Sequence, residues 1–251
     1  MVNIILHGCN GRMGRMVTET AGTDPEMRIV AGVDIAGGQL SDFPVYEKIE
    51  DCKEEADVII DFGNAAAVDA VIAYSVRRKL PLVECTTGLS EEQLSALTEA
   101  SKEIAVLKSA NMSLGVNVLQ KALKEVSRVL YGSGFDIEIV EKHHRTKLDA
   151  PSGTALALAD TIHEALDADM DYVYDRSKVR QKRGKTEIGI SAVRGGTIVG
   201  DHDVIFAGQD EVITFSHRAY SRAIFAKGAL AAAGYLKGKA PGYYSMSDVV
   251  G

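Results

Sequence analysis

Gly8-Cys9-Asn10-Gly11-Arg12-Met13-Gly14 follows a short apolar run, Val2 to Leu6, and opens a segment, residues 12 to 21, that reads as a helix. Glycines at a strand-to-helix turn permit a tight bend, close approach of the backbone to a pyrophosphate, and close packing of helix on strand. The helix start adds free N–H groups and the positive end of a dipole. The spacing G-x-x-G-x-x-G differs from the commoner G-x-G-x-x-G, so context has to decide. Arg28 to Val33 is rich in β-formers and ends at Asp34, 20 positions after Gly14, where an acid binds the hydroxyls of an adenosine ribose. This order of strand, glycine turn, helix, strand and acid predicts a Rossmann-type dinucleotide-binding domain.

The alternation continues outward. Val58 to Phe62 reads as a strand, Ala65 to Arg77 as a helix, Leu82 to Cys85 as a strand, Glu91 to Lys102 as a helix and Ile104 to Leu107 as a strand. Such βα repetition implies a parallel sheet covered on both faces. Near Asn111 the pattern changes. A long helix, Ser113 to Leu130, leads to an extended stretch at Asp136 to Val140, then to a helix from Gly153 to Leu166. Residues 187 to 219 read as strands joined by glycine turns, and a last helix runs from Ser221 to Leu236. The expected fold class is α/β: a parallel-sheet domain over 1–111, with the C-terminal segment 221–251 packing back on it, and an α+β substrate and oligomerisation domain over 112–220 with an open mixed sheet.

Composition narrows the function. A net charge of −7 argues against a general nucleic-acid binder, which needs a large basic surface. The basic run Arg176, Lys178, Arg180, Lys182, Arg183 and Lys185 therefore reads as a solvated loop. Any anionic ligand must be met by a local cluster of positive groups. Cys9, Cys52 and Cys85 lack disulfide or zinc-site spacing, which fits a reducing cytoplasm. No metal site is expected. With no signal-like start and no run of 18 apolar residues, neither export nor a membrane partner is expected.

The local cluster is Glu141-Lys142-His143-His144-Arg145-Thr146-Lys147-Leu148-Asp149-Ala150-Pro151-Ser152-Gly153-Thr154. Lys142, Arg145, Lys147 and a histidine concentrate positive charge, and adjacent histidines supply proton and hydrogen-bond donors near neutral pH. Pro151 suits the first turn of a helix, from which Ser152, Gly153 and Thr154 can direct N–H and hydroxyl groups at a carboxylate. Cys9, at the start of another helix, has a position that lowers a thiol pKa, though it reads as a small loop residue.

This segment resembles the signature E-x-H-H-x-x-K-x-D-x-P-S-G-T of the dihydrodipicolinate reductase family. Gly8 to Gly14, Thr86-Thr87-Gly88, Ala110-Asn111-Met112-Ser113 with Gly115-Val116-Asn117, Gly200-Asp201-His202, and His217 through Gly228-Ala229 agree in order, so the resemblance covers essentially the whole chain. It implies reduction of 4-hydroxy-tetrahydrodipicolinate to tetrahydrodipicolinate, in lysine and diaminopimelate biosynthesis. Water leaves the 4-hydroxy compound, a nicotinamide gives hydride to C4, and the electron-rich product must be protonated. It further implies that His143 and Lys147 are the proton donors, that His144 contacts the substrate, and that Gly153 and Thr154 hold a carboxylate of a small cyclic dicarboxylate. Gly8, Cys9, Asn10, Gly11, Arg12, Met13 and Asp34 match the nucleotide site. Cys85, Thr86, Thr87, Ala110, Asn111, Met112 and Ser113 match the nicotinamide end, and Arg222 and Phe225 match positions near the cofactor. A homotetramer is implied as well.

Two positions depart from the family pattern: Cys85 stands where glycine is frequent, and Lys142 where a small residue is common. Asp34 without a following cation favours NADH over NADPH, with some use of NADPH retained. Two other functions share part of this pattern. Another two-domain Rossmann reductase, such as an amino-acid dehydrogenase, needs the glycine turn but not His143, His144 and Lys147. A non-catalytic NAD-binding sensor needs neither His143 nor Lys147.

Overall fold

The computed structural model describes residues 1–38, 41–174, 176–178 and 180–251. The chain divides into two compact units, Met1–Leu114 with Arg222–Gly251, and Gly115–Ser221.

Unit 1 is a seven-stranded sheet built on β1 (Val2–His7), β2 (Met27–Val33), β3 (Val45–Tyr46), β4 (Val58–Asp61), β5 (Leu82–Glu84), β6 (Ala105–Lys108) and β12 (Gly242–Tyr244). Their order is β12-β6-β5-β4-β1-β2-β3, and every neighbouring pair is parallel. Successive side chains on a strand point to opposite faces, and here both faces are apolar. Ile4 and Leu6 of β1, Val58 and Ile60 of β4, and Val83 of β5 belong to one core cluster. Ile5, Ile59 and Leu82 belong to the other. The first cluster is covered by α1 (Arg12–Ala21) and α6 (Ala223–Leu236), the second by α2 (Val68–Arg78) and α3 (Glu91–Ala100). The expected doubly covered parallel sheet is therefore present.

Three pieces of this unit were not foreseen: β3, β12 and a closing helix α7 (Met246–Val250). Strands of two or three residues are too short for a recognisable period, and their partners alone make them strands.

Unit 2 carries a mixed five-stranded sheet of β7 (Asp136–His143), β8 (Asp171–Val173), β9 (Glu187–Arg194), β10 (Gly200–Ala207) and β11 (Val212–Ala219), in the order β11-β10-β7-β9-β8. β10 runs antiparallel to both neighbours, while β7, β9 and β8 are mutually parallel. Helices α4 (Leu114–Gly132) and α5 (Gly153–Ala165) share one core with it, including Leu123, Ile139, Leu158 and Phe206.

β7 runs through His143, three residues beyond the extended stretch read from the sequence. Glu141 and His143 therefore share one buried face, and Lys142 points the other way, to Asp203 at 3.3 Å. The basic run also needs correcting. Arg183 is no solvated residue: it pairs with Asp136 and Glu138 and donates to the carbonyls of Ile137 and Glu187, and Arg176 pairs with Glu187. Lys178, Arg180, Lys182 and Lys185 are exposed.

Candidate active site

In unit 1 the glycine turn is shaped by contacts a side chain would destroy. Gly8 has φ +75°, and a Cβ there would lie 2.5 Å from the carbonyl oxygen of Phe62. A Cβ on Gly14 would run into the backbone of Gly8 and Cys9. Gly11 caps α1 without a side-chain hydrogen bond, and the first turn of α1 holds no acid. The start of this helix therefore presents uncapped N–H groups, and its own first turn carries no carboxylate to repel an anion.

Two cavities adjoin this turn, sharing Gly11, Phe62 and Gly63. One, of about 340 Å³, is lined by Gly8, Asp34, Ile35 and Glu47 among others. The other, of about 570 Å³, is lined by Arg12, Met13, Cys85, Thr86, Thr87, Ala110, Asn111, Met112 and Phe225 together with Lys108. Asp34 accepts from the N–H groups of Asn10 and Ala36, each at 3.0 Å, which fixes its carboxylate at the mouth of the first cavity. Asn10 turns its amide to the carbonyls of Gly37 and Gly38.

Four expected residues do not line these cavities: Cys9, Ser113, Arg222 and also Asn10, whose amide is taken by Gly37 and Gly38. Cys9 is buried against Gly32, and burial, then the charge of Asp34, push its thiol up to about 11, outweighing the lowering by the backbone of Cys9 and Asn10. Ser113 is buried, its N–H donating to Asn111. Arg222 is exposed at the N-cap of α6. Sequence reading missed several lining residues, among them Glu47, Phe62, Gly63 and Lys108. Each lies at or just after a strand end, where a parallel sheet opens to ligands, and that position was the available signal.

In unit 2 the centre is Glu141, fully buried. Its Oε1 accepts from Ser152 N at 3.0 Å and Arg194 Nη2 at 2.6 Å. Its Oε2 accepts from Arg194 Nη1 at 2.7 Å and pairs with His143 Nδ1 at 2.6 Å. Burial alone would raise the carboxyl, but Arg194, His143 and Ser152 hold it below the usual carboxylate range. An ionised carboxylate only accepts, so the hydrogen sits on Nδ1 of His143 and Nε2 is left for other chemistry. Nε2 faces Gly200, where a Cβ would come within 3.0 Å of it.

His202 packs edge-on against His143, centroids 5.2 Å apart, and its Nε2 meets Ser152 Oγ at 3.0 Å. Burial, then the neighbouring His143, push His202 down to about 4, so it stays neutral.

The flanking residues form a second group. Lys147 Nζ pairs with Asp149 at 2.8 Å, and this pairing holds the Asp149 carboxyl below the usual carboxylate range, with a smaller share from the backbone of Gly153 at the start of α5. His144 Nδ1 meets Thr146 Oγ1 at 2.8 Å. Ser152, not Pro151, caps α5, through Ala155 N at 3.2 Å; Pro151 lies outside the helix, before the cap.

A doubly covered parallel sheet with this glycine turn, joined to an α+β unit that concentrates histidine, lysine and arginine, defines a two-domain Rossmann-type oxidoreductase. Family comparison is more specific: the model of the dihydrodipicolinate reductase N-terminus matches residues 2–112, and that of its C-terminus matches residues 115–250. The chain belongs to the dihydrodipicolinate reductase family. It is 55% identical over 250 residues to the 4-hydroxy-tetrahydrodipicolinate reductase of Caldanaerobacter subterraneus subsp. tengcongensis, covering 100% of this chain and 98% of that one. It is 52% identical over 246 residues to that of Clostridium tetani, covering 98% and 96%. Its fold matches the dipicolinate-bound dihydrodipicolinate reductase of Paenisporosarcina sp. TG-14 with a TM-score of 0.81 at 22% identity, over 98% of this chain and 97% of that one.

Proposed function

We propose that this chain reduces 4-hydroxy-tetrahydrodipicolinate, the compound in its relatives' name, to tetrahydrodipicolinate, and that it prefers NADH to NADPH. Unit 1 is read as the nucleotide-binding body. Unit 2 is read as the body that binds the cyclic dicarboxylate and joins copies into a homotetramer, working in the cytoplasm. The observation that carries the reading is Glu141, whose hydrogen bond to Nδ1 orients His143 for proton transfer at Nε2.

The residues of unit 1 fit a dinucleotide. Gly8 and Gly14 leave the space a Cβ would fill, and the uncapped start of α1 suits a pyrophosphate. When bound, the nicotinamide nucleotide supplies hydride. Asp34 suits the ribose hydroxyls. A 2′-phosphate would meet Asp34 and Glu47 in the same cavity, with exposed Ile35 rather than a cation beside them. Arg12 lines the other cavity and offers no offset there.

In unit 2, Lys147 Nζ and His143 are the groups that deliver the one proton the reduced ring needs. His143 does so as the imidazolium that carries a second proton on Nε2 and is stabilised by Glu141. The Asp149 carboxylate stands in for a substrate carboxylate, since it rests on the Lys147 ammonium close to the start of α5. A dicarboxylate displaces it, and His144 and Thr154 complete the cradle.

The test is nicotinamide oxidation in the presence of the product of dihydrodipicolinate synthase, with NADH and NADPH in turn. Oxidation is expected, with higher kcat/KM for NADH. His143→Ala or Lys147→Ala should each lower turnover about 10²-fold or more while NADH binding survives. Pyridine-2,6-dicarboxylate should compete with substrate far better than the monocarboxylate. Near-normal turnover in both variants removes the proton-donor assignment, and no oxidation with either nucleotide removes the function.

A further inference from the structure

Two carboxyl groups lie inside unit 1, beneath the turns that line its cavities, and the reaction described above uses neither. Asp61 ends β4, Glu84 ends β5, and the two are register partners on neighbouring parallel strands. Both side chains are fully buried. Each spends one oxygen on a cavity-lining turn. Asp61 Oδ1 pairs with His7 Nδ1 at 2.5 Å and accepts from Gly63 N at 2.7 Å. Glu84 Oε1 accepts from Thr86 N at 2.7 Å.

The other oxygens, Asp61 Oδ2 and Glu84 Oε2, are buried and meet no conventional donor among the described residues. Buried polar atoms seldom lack partners. Register partners project to the same face of the sheet, so the two free oxygens are carried side by side, and Asp61 acts directly on Glu84. Two carboxyl groups so placed can bond only by sharing a proton.

We propose that Glu84 is a positioning residue for the cofactor pocket: it shares one proton with Asp61, and this shared proton clamps the turn after β4, Phe62–Asn64, to the turn after β5, Cys85–Thr87. Gly63 and Thr86 both line the larger cavity, so the clamp sets its width. The inference rests on reading that cavity as the nucleotide site.

The groups facing the pair come from several strands: His7 of β1, Cys85 just beyond β5, Lys108 of β6 and Tyr243 of β12. The Lys108 ammonium is already used by the Thr86 carbonyl at 3.2 Å. Burial, then the carboxyls of Glu84 and Asp61, keep the Cys85 thiol neutral. The covering helices α2, α3 and α6 turn buried Val71, Leu97 and Ala229 to the sheet. Burial, then Asp61, push Glu84 up to about 8. Above that pH the proton leaves, two carboxylates face each other, and the turns move apart.

The experiment is NADH binding by fluorescence titration at neutral pH and near pH 9.5, in wild type and in Glu84→Gln. Glutamine can accept from Thr86 N and donate to Asp61 at every pH. The dissociation constant of the wild type is expected to rise about tenfold between the two pH values, and that of Glu84→Gln to stay within about twofold. Asp61→Asn, which also removes the shared proton, should likewise flatten the ratio and serves if Glu84→Gln fails to fold. In parallel, a pH-difference infrared spectrum of the wild type should show a protonated carboxyl band lost at high pH, and that band should be missing from Glu84→Gln. The same pH ratio in wild type and in a folded variant overturns the proposal, as does the absence of the band. If NADH fails to bind the wild type at any pH, the nucleotide-site reading falls and this one with it.

Discussion

At the residue scale, the chemistry of unit 2 is organised by one buried carboxylate. Glu141 gathers Arg194, His143 and Ser152 from β9, β7 and the start of α5. Its pKa is depressed in the folded chain, so it contributes stability that is present above the ordinary carboxylate range and lost as pH falls through the folded value. Arg194→Ala leaves the buried carboxylate without its cation and should cost about 3 kcal/mol at neutral pH. The loss of Tm relative to wild type should shrink toward pH 4, where a carboxyl stranded by the substitution accepts a proton. Thermal melts across pH check this, and a gap that is constant or widens toward acid would refute it. His143 was visible in the sequence because its motif is local. Arg194 was not, because only the parallel pairing of β7 with β9 brings it beside Glu141.

At the element scale, α6 shows how close packing decides what a helix contains. Its buried face is mostly small residues, Ala226, Gly228, Ala229, Ala232 and Ala233, beside Leu230 and Leu236. A glycine inside a helix costs about 1 kcal/mol relative to alanine. Gly228 is kept because a Cβ there would run into the carbonyl of Met112. That carbonyl is backbone and cannot step aside by changing rotamer, so overpacking of about 1–3 kcal/mol outweighs the gain in propensity. Gly228→Ala should therefore lower Tm and raise the KM for NADH, because Ala110, Asn111 and Met112 line the larger cavity. Gly132→Ala, at the end of α4 with open space around its Cβ, should leave Tm unchanged or raise it. A Gly228→Ala protein as stable as wild type would contradict this account. Helix boundaries were read to within a few residues from apolar period and caps. The short strands β3, β8 and β12 were not, since two or three residues carry no period.

At the scale of the whole molecule, the first unit is built from both ends of the chain. Leu230, Ala233 and Leu236 of α6, with Met246 of α7, are buried in the same core as Ile4, Leu6 and Ile60. Each buried leucine contributes roughly 1.5–3 kcal/mol, and without α6 one face of the parallel sheet keeps only α1 to cover it. A chain ending at Ser221 should therefore lose cooperative melting and NADH binding together, measured by calorimetry and fluorescence titration. A shortened chain that binds NADH like the full one would show that α6 is dispensable. No helix among the described residues is long and apolar enough to cross a membrane. What the sequence alone determined is whatever neighbours in the chain can specify: the glycine turn and Asp34, the alternation of strands and helices, and the histidine–lysine segment, each with its own period or spacing. What only the tertiary structure decided is which distant residues meet. The Asp61–Glu84 pair, the grip of Arg194 on Glu141, Glu47 beside Asp34, and the contact of Gly228 with Met112 all depend on strand register and helix approach. The free energy of such contacts comes from burial and hydrogen bonding across the fold, so no local stretch of sequence encodes them by itself.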